Sequence, residues 1–400
     1  MQFTKAARST HSEWFVVRGF IMPKPKEDSK SRATVAWATS ATSATSATSA
    51  TSATSATSAT SATSAARSTY IREALGNPSL IGKVRDMKEL YTKQVRSEAR
   101  KLRIPSAPTA AGSCEKTLRI LQWNLNCLCG INGETPQRAS DIVKLLAPCN
   151  ADVLVLQEMP RGPAQSWWWE PWRSTFPAKE MRALETSLHE LGYQTQVRSS
   201  CFSSTLLCTK IKPVAVSEVS LDSEHSFRMA EDRSALLASF CLEDSKEVIS
   251  ICATHLHHQN FTESDDGVRR AETELLLRHC AEHAAKTPSR CALIVADFNQ
   301  ARPGDYSAAE WSVISAGLKS VGEPEDDGVA RLLTSQNWVC TYDVASRRNW
   351  SGTAPPFTHW TGTTVDYAYM LAPETVEVGT YVLYSDVSDH LPILTHLQLH

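Results

Sequence analysis

Two short runs constrain the fold of this chain more than anything else in it: Asp152-Val-Leu-Val-Leu-Gln157 and Cys291-Ala-Leu-Ile-Val-Ala296. They are apolar at consecutive positions, so neither leaves a polar face for solvent. Each is also too short for a buried helix and reads as a strand covered on both sides. Comparable runs occur at Leu118–Leu125, Ala151–Leu156, Ser204–Thr209, Val248–His255, Cys291–Ala296, Val365–Leu371 and Ile393–Leu397. Helical patterns lie between them at Ala139–Leu146, Ala178–Leu191, Val268–Lys286 and Ala308–Ser315. This alternation predicts an α/β domain with a mixed sheet covered by helices.

The runs share a second property: polar residues stand where the apolar residues stop. Leu118–Trp123 stops at Asn124 and Asn126, Val153–Gln157 at Glu158, and Val248–Ala253 at Thr254-His255-Leu256-His257-His258. Leu293–Ala296 stops at Asp297-Phe298-Asn299, Thr363–Val365 meets Asp366, and Tyr381–Tyr384 leads to Ser388-Asp389-His390. One such ending is an ordinary loop residue. Six endings rich in Asn, Asp, Glu and His predict a shared sheet edge, the place where open α/β folds bind ligands. Glu158, Asp389 and amide oxygens are hard ligands suited to Mg²⁺ or Mn²⁺. Asp297 and Asn299 suit the positioning of a water, and His255 and His390 suit donation to a phosphoryl oxygen. Asp366 is a candidate to orient His390. Together these are the ingredients of metal-assisted phosphoester hydrolysis.

The same stretches resemble a known family. Gln122-Trp123-Asn124-Leu125, Leu156-Gln157-Glu158, Thr254-His255-Leu256, Ala296-Asp297-Phe298-Asn299, Val365-Asp366-Tyr367 and Ser388-Asp389-His390-Leu391-Pro392 are similar, in order, to the motifs of the endonuclease/exonuclease/phosphatase superfamily, the DNase I-like metal-dependent phosphodiesterases. The resemblance spans roughly Thr117 to His400. It implies a four-layer α/β/β/α sandwich with Glu158 as the main Mg²⁺ ligand, Asn124 as a polar ligand, and Asp389 near the metal. It also implies Asp297 as the residue that aligns or deprotonates the nucleophile, Asn299 on the scissile phosphate, and His390, paired with Asp366, on the phosphoryl oxygen. Asn126 departs from the pattern, since several DNA-repair members carry Asp two residues after the first Asn.

Substrate and partner are less constrained. Ser166-Trp-Trp-Trp-Glu-Pro-Trp172 reads either as a hydrophobic plug or interface, or as a stacking platform. His359, Trp360 and Arg270 are candidate substrate-binding residues. Residues 115–400 hold 24 Lys/Arg against 36 Asp/Glu, which argues against a broad groove tracking nucleic-acid backbone. A small phosphodiester or a nucleic-acid end fits better. A lipid or inositol-phosphate hydrolase is the alternative among enzymes. The alternative outside enzymes is an inactive family member that binds a partner through the Trp-rich segment and a basic arm.

That arm is residues 1–114, with 17 Lys/Arg against 7 Asp/Glu. Residues 38–64 repeat Ala-Thr-Ser, a period that builds no apolar face, and the segment carries neither charge nor bulk to offset its ordering entropy. Residues 1–78 are expected to be a disordered arm. Residues 79–114 are expected to form a basic amphipathic helix and linker, with Leu80, Val84, Met87, Tyr91 and Val95 at helical spacing after a Ser79 cap, and 115–400 the catalytic domain. The helix either packs on the domain or presents a basic surface to nucleic acid or lipid. The 11 cysteines lack zinc spacing and read as reduced thiols. No apolar run of membrane-spanning length occurs, and no secretory signal is expected. The chain is expected to be intracellular, in cytoplasm or nucleus, with the mitochondrion as the alternative.

Overall fold

In a computed structural model, the residues described are 84–99, 116–131, 138–160, 178–199, 204–222, 233–242, 247–258, 265–320, 328–350 and 354–399. The Ala-Thr-Ser tether, the Ser79 cap, the linker and the Trp-rich segment lie outside them. In chain order the elements are α1 (Val84–Ala99), β1 (Lys116–Asn124), α2 (Ala139–Cys149), β2 (Val153–Met159), α3 (Ala178–Glu190), β3 (Thr195–Arg198), β4 (Ser204–Thr209), β5 (Pro213–Ser220), β6 (Ser234–Leu242) and β7 (Glu247–His255). They continue with α4 (Asp265–Lys286), β8 (Cys291–Asp297), α5 (Ala308–Ser320), α6 (Gly328–Ser335), β9 (Val339–Cys340), α7 (Thr341–Val344), β10 (Asp366–Leu371), β11 (Val376–Val382) and β12 (Ile393–Leu399).

The strands form two six-stranded sheets, ordered β11-β12-β1-β2-β4-β3 and β5-β6-β7-β8-β10-β9. Each holds one parallel pair at its centre, β1 with β2 and β7 with β8. The period of two along a strand assigns every central residue to a layer. Leu118 and Ile120 of β1 and Val153 and Val155 of β2 face Ile249, Ile251, Leu293, Val295, Ala368 and Met370 of the other sheet in one core. The alternate residues Leu121, Trp123, Leu154 and Leu156 pack under α2 and α3. Cys252, Ile294, Ala296, Tyr367 and Tyr369 pack outward with Leu276 of α4 and Val329 and Leu333 of α6. This is the four-layer α/β/β/α sandwich, and it explains why the central strands are apolar at consecutive positions.

α1 belongs to the outer layer of the second sheet. Tyr91 and Val95 are fully buried, and the Tyr91 ring lies 6.0 Å from that of Phe357.

Candidate active site

The same period of two builds the site. Continuing the inward-facing register past the last apolar residue leads to Gln122 and Asn124 on β1, His255 on β7 and Asp297 on β8. The same register on β10 starts with Asp366. Pairing then sets neighbours: Asp297 stands opposite both His255 and Asp366. All of these side chains are buried at the mouth of the inter-sheet core.

Asn124 is the hub on the first sheet. Its Nδ2 donates to Glu158 Oε1 at 3.0 Å and to Asp297 Oδ2 at 2.9 Å, while its Oδ1 accepts from the Asn126 amide at 2.9 Å. Glu158 has a positive φ of 52°, next to the register irregularity where β2 meets β4. The left-handed residue turns its carboxylate from the strand's outer face toward the mouth. Asn126, Cys127 and Leu128 are also left-handed, at φ 45°, 53° and 59°. That turn brings Cys127 Sγ to 3.6 Å from Glu158 Oε2.

On the second sheet, Asn299 (φ 51°) folds back so that its backbone N–H donates to Asp297 Oδ1 at 2.9 Å. Its side-chain amide lies 2.8 Å from His255 Nε2 and donates to the Leu256 carbonyl at 3.0 Å. His255 Nε2 is 3.7 Å from Asp297 Oδ2 and 3.9 Å from Glu158 Oε1. Arg233 reaches the other ring nitrogen at 3.1 Å.

The Ser388-Asp389-His390 segment closes the site. Ser388 Oγ donates to the Asn124 carbonyl at 2.8 Å, and the Trp123 indole donates to the His390 carbonyl at 3.0 Å. The segment is thereby fixed to β1. His390 Nδ1 is 2.9 Å from Asp366 Oδ2 and 3.7 Å from Asp297 Oδ2. Gln122 donates to the other Asp366 oxygen at 3.5 Å. Ligand-type atoms of Asp297, Asp366 and His390 all lie within 4.8 Å of one another.

Burial, then the neighbouring Asp366 carboxylate, push Asp297 up to about 7. Burial opposes charge on the His390 ring, but Asp366 and Asp297 overcome it and raise its pKa to about 10. Burial also raises Asp389, and the nearby Glu158 carboxylate adds to the effect.

The donor set suits a hard divalent cation. Asp389 is buried, and its Oδ1 has no hydrogen-bond partner, an expensive arrangement unless something cationic meets it. Glu158 and Asp389 supply oxygens of the kind Mg²⁺ and Mn²⁺ take. Asn124, expected from sequence as a further ligand, stands here as a bridging donor with its oxygen turned to the backbone.

The remaining candidates separate. The His359 ring lies 4.6 Å from that of His390, and the Trp360 N–H donates to the Asp389 carbonyl at 2.9 Å, so both stand at the site. Arg270 does not join them: it is half-exposed on α4, 4.0 Å from Asp266, and packs beside Gly328. Gln122, which the first motif contains without a role, and Arg233, Cys127 and Lys88, which the sequence does not single out, are further neighbours. Gln122 was legible, since it shares the inward parity of Asn124. The others carry no signal in the sequence.

No protein-family model matches the chain, and no curated protein matches it. Solved structures do. An endonuclease/exonuclease/phosphatase from Beutenbergia cavernae is 15% identical with a TM-score of 0.51, over 71% of this chain and 72% of that one. The chain has the endonuclease/exonuclease/phosphatase fold. A second protein described by that family name, from Bacteroides thetaiotaomicron, is 12% identical with a TM-score of 0.50, over 72% of this chain and 100% of its own. A mannosyl-6-phosphatase from the same organism is 13% identical with a TM-score of 0.50, over 70% and 99%. At these identities the likeness extends to the fold of this chain, whose chemistry has to be argued from its own side chains.

Proposed function

We propose that this chain is a metal-dependent phosphoester hydrolase, acting on a small phosphodiester or on the end of a nucleic acid. The observation that carries the reading is the convergence of Glu158, Asp297, Asp366, Asp389 and two histidines on one mouth between the sheets, with a buried Asp389 oxygen left unpartnered. Glu158 and Asp389 would hold Mg²⁺ or Mn²⁺, which when bound would neutralise phosphoryl oxygens and lower the pKa of water. Asn124 holds Glu158 and Asp297 apart at fixed spacing.

Asp297, raised into the neutral range, is the base that aligns the attacking water and takes its proton. Asn299 and His255 face the same space and bind the scissile phosphate. Asp366 holds one nitrogen of His390, so the other is presented to the phosphoryl oxygen as charge grows there. The acidic body favours a compact substrate over a long polyanion.

The test is a substrate panel on pure protein with Mg²⁺: bis(p-nitrophenyl) phosphate, 5′-adducted DNA, oligoadenylate, sphingomyelin and inositol phosphates, each with and without chelator. Chelator-sensitive release from one class, abolished by Asp297→Asn, is the expected result. No release from any class, with no Mn²⁺ binding by calorimetry, overturns the reading.

A further inference from the structure

α1 precedes the strands in the chain and packs in the outer layer of the second sheet, and one of its side chains enters the site. Tyr91 and Val95 anchor the helix in the core, and the Tyr91 hydroxyl donates to the Ser388 carbonyl at 3.4 Å. Arg96 pairs with Asp386 at 2.6 Å one turn further along. These contacts fix the helix against the segment that carries Ser388-Asp389-His390. Lys88, one turn before Tyr91, then places its Nζ 3.5 Å from Asp389 Oδ2 and 5.2 Å from the centre of the Trp360 ring. Its side chain is only 13% exposed, and that of Asp389 10%, so the pair is largely shielded from water.

The pairing has a chemical consequence. Asp389 is the carboxylate whose other oxygen is orphaned and which the proposed function assigns to a divalent cation. An ammonium on Oδ2 and a divalent cation on Oδ1 of the same carboxylate stand close enough to repel each other strongly at low effective dielectric. The lysine stem is flexible, and the Trp360 face gives its charge a second resting place.

We propose that α1 is part of the active site, with Lys88 as a placeholder cation on Asp389 that yields to the divalent metal and then binds an anionic oxygen of the phosphoester. This rests on the proposed function for the identity of the anion, but the exchange at Asp389 stands or falls by itself. Lys88 is thus a substrate-binding residue supplied by the helix that precedes β1.

The test uses the full chain with Lys88→Ala, Lys88→Met and Lys88→Arg. Calorimetric titration with Mn²⁺ alone reads the exchange: Ala and Met are expected to bind Mn²⁺ on the order of ten-fold more tightly than wild type, and Arg close to wild type. Titration of the Mn²⁺-loaded proteins with inorganic phosphate reads the second half: Ala and Met are expected to lose on the order of ten-fold in affinity, and Arg to recover most of it. Melting temperatures of the metal-free Ala and Met variants are expected to fall, because Asp389 loses its shielded counterion, and to recover when Mn²⁺ is added. Unchanged or weaker Mn²⁺ binding in the Ala variant overturns the placeholder role, and unchanged phosphate binding overturns the anion role. If the wild type hydrolyses no phosphoester at all, the proposed function fails, while both titrations still decide Lys88.

Discussion

His390 offers the sharpest separation of catalysis from simple binding. Its Nδ1 lies 2.9 Å from Asp366 and 3.7 Å from Asp297, and its pKa rises from 6.5 to about 10. The Asp366 and Asp297 carboxylates thus outweigh the cost of burial and favour the imidazolium. At neutral pH both ring nitrogens therefore carry protons. Nδ1–H is held by Asp366, and Nε2–H is the donor for the phosphoryl oxygen. A preorganised donor of this kind contributes more in the transition state than in the ground state. His390→Ala is expected to lower kcat by roughly 10²–10³, about 3–4 kcal/mol, with little change in KM. Asp366→Asn keeps a hydrogen-bonding side chain but removes its charge, so its loss is expected to be smaller. Both act through one imidazole, so the double variant is expected to match His390→Ala rather than multiply the two losses. Steady-state kinetics on the substrate found active in the panel measures all three. Additive losses, or a raised KM with unchanged kcat in His390→Ala, would refute the catalytic assignment.

The sequence exposes the site more readily than its surroundings. The rule that made Asn124, His255, Asp297 and Asp366 visible is the cost of a polar residue at the end of an apolar run, and the strands place all four on the inner face. Glu158 was visible by residue type, but its direction was not. By parity it faces outward, and a left-handed φ of 52° turns it in, a feature that depends on the irregular pairing with β4. The strands that went unread have physical reasons. β5 is an edge strand whose Val214 and Val216 are 57% and 39% exposed, so apolar residues mark its outer face and the alternation misleads. β6 mixes Ala and Ser with larger apolar residues and is buried almost throughout, so neither period stands out. Helix α1 was legible through Tyr91 and Val95, whereas the partner of Lys88 lies 301 residues away and leaves no local trace.

The remaining expectations test different links. Glu158→Gln should abolish turnover at low Mg²⁺ with an unchanged circular dichroism spectrum; retained activity would remove Glu158 from the site. Tyr91→Ala empties a fully buried aromatic position and should cost about 3–5 kcal/mol by denaturant titration, and a loss below about 1 kcal/mol would mean that α1 is not docked in solution. The last expectation concerns pH. His396 on β12 stands opposite Arg119 and beside the Tyr381 ring at 5.2 Å, and burial, then Arg119 and Arg347, lower it to about 4. Its Nε2 has no hydrogen-bond partner, so nothing there welcomes a proton. In the unfolded chain the same histidine titrates near 6.5, so the unfolded state binds the proton first as pH falls. The stability held above about 6.5 is therefore lost progressively down to about 4 and is flat below it. Over that window the loss is on the order of 3 kcal/mol at most. His396→Gln removes the titration and leaves the neighbouring charges in place. Denaturant titrations of wild type and variant at pH 7, 5.5 and 4 should show the wild type falling relative to the variant across that window. Parallel curves, or a wild type that gains on the variant as pH falls, would mean that His396 is solvated and free to protonate between the two arginines.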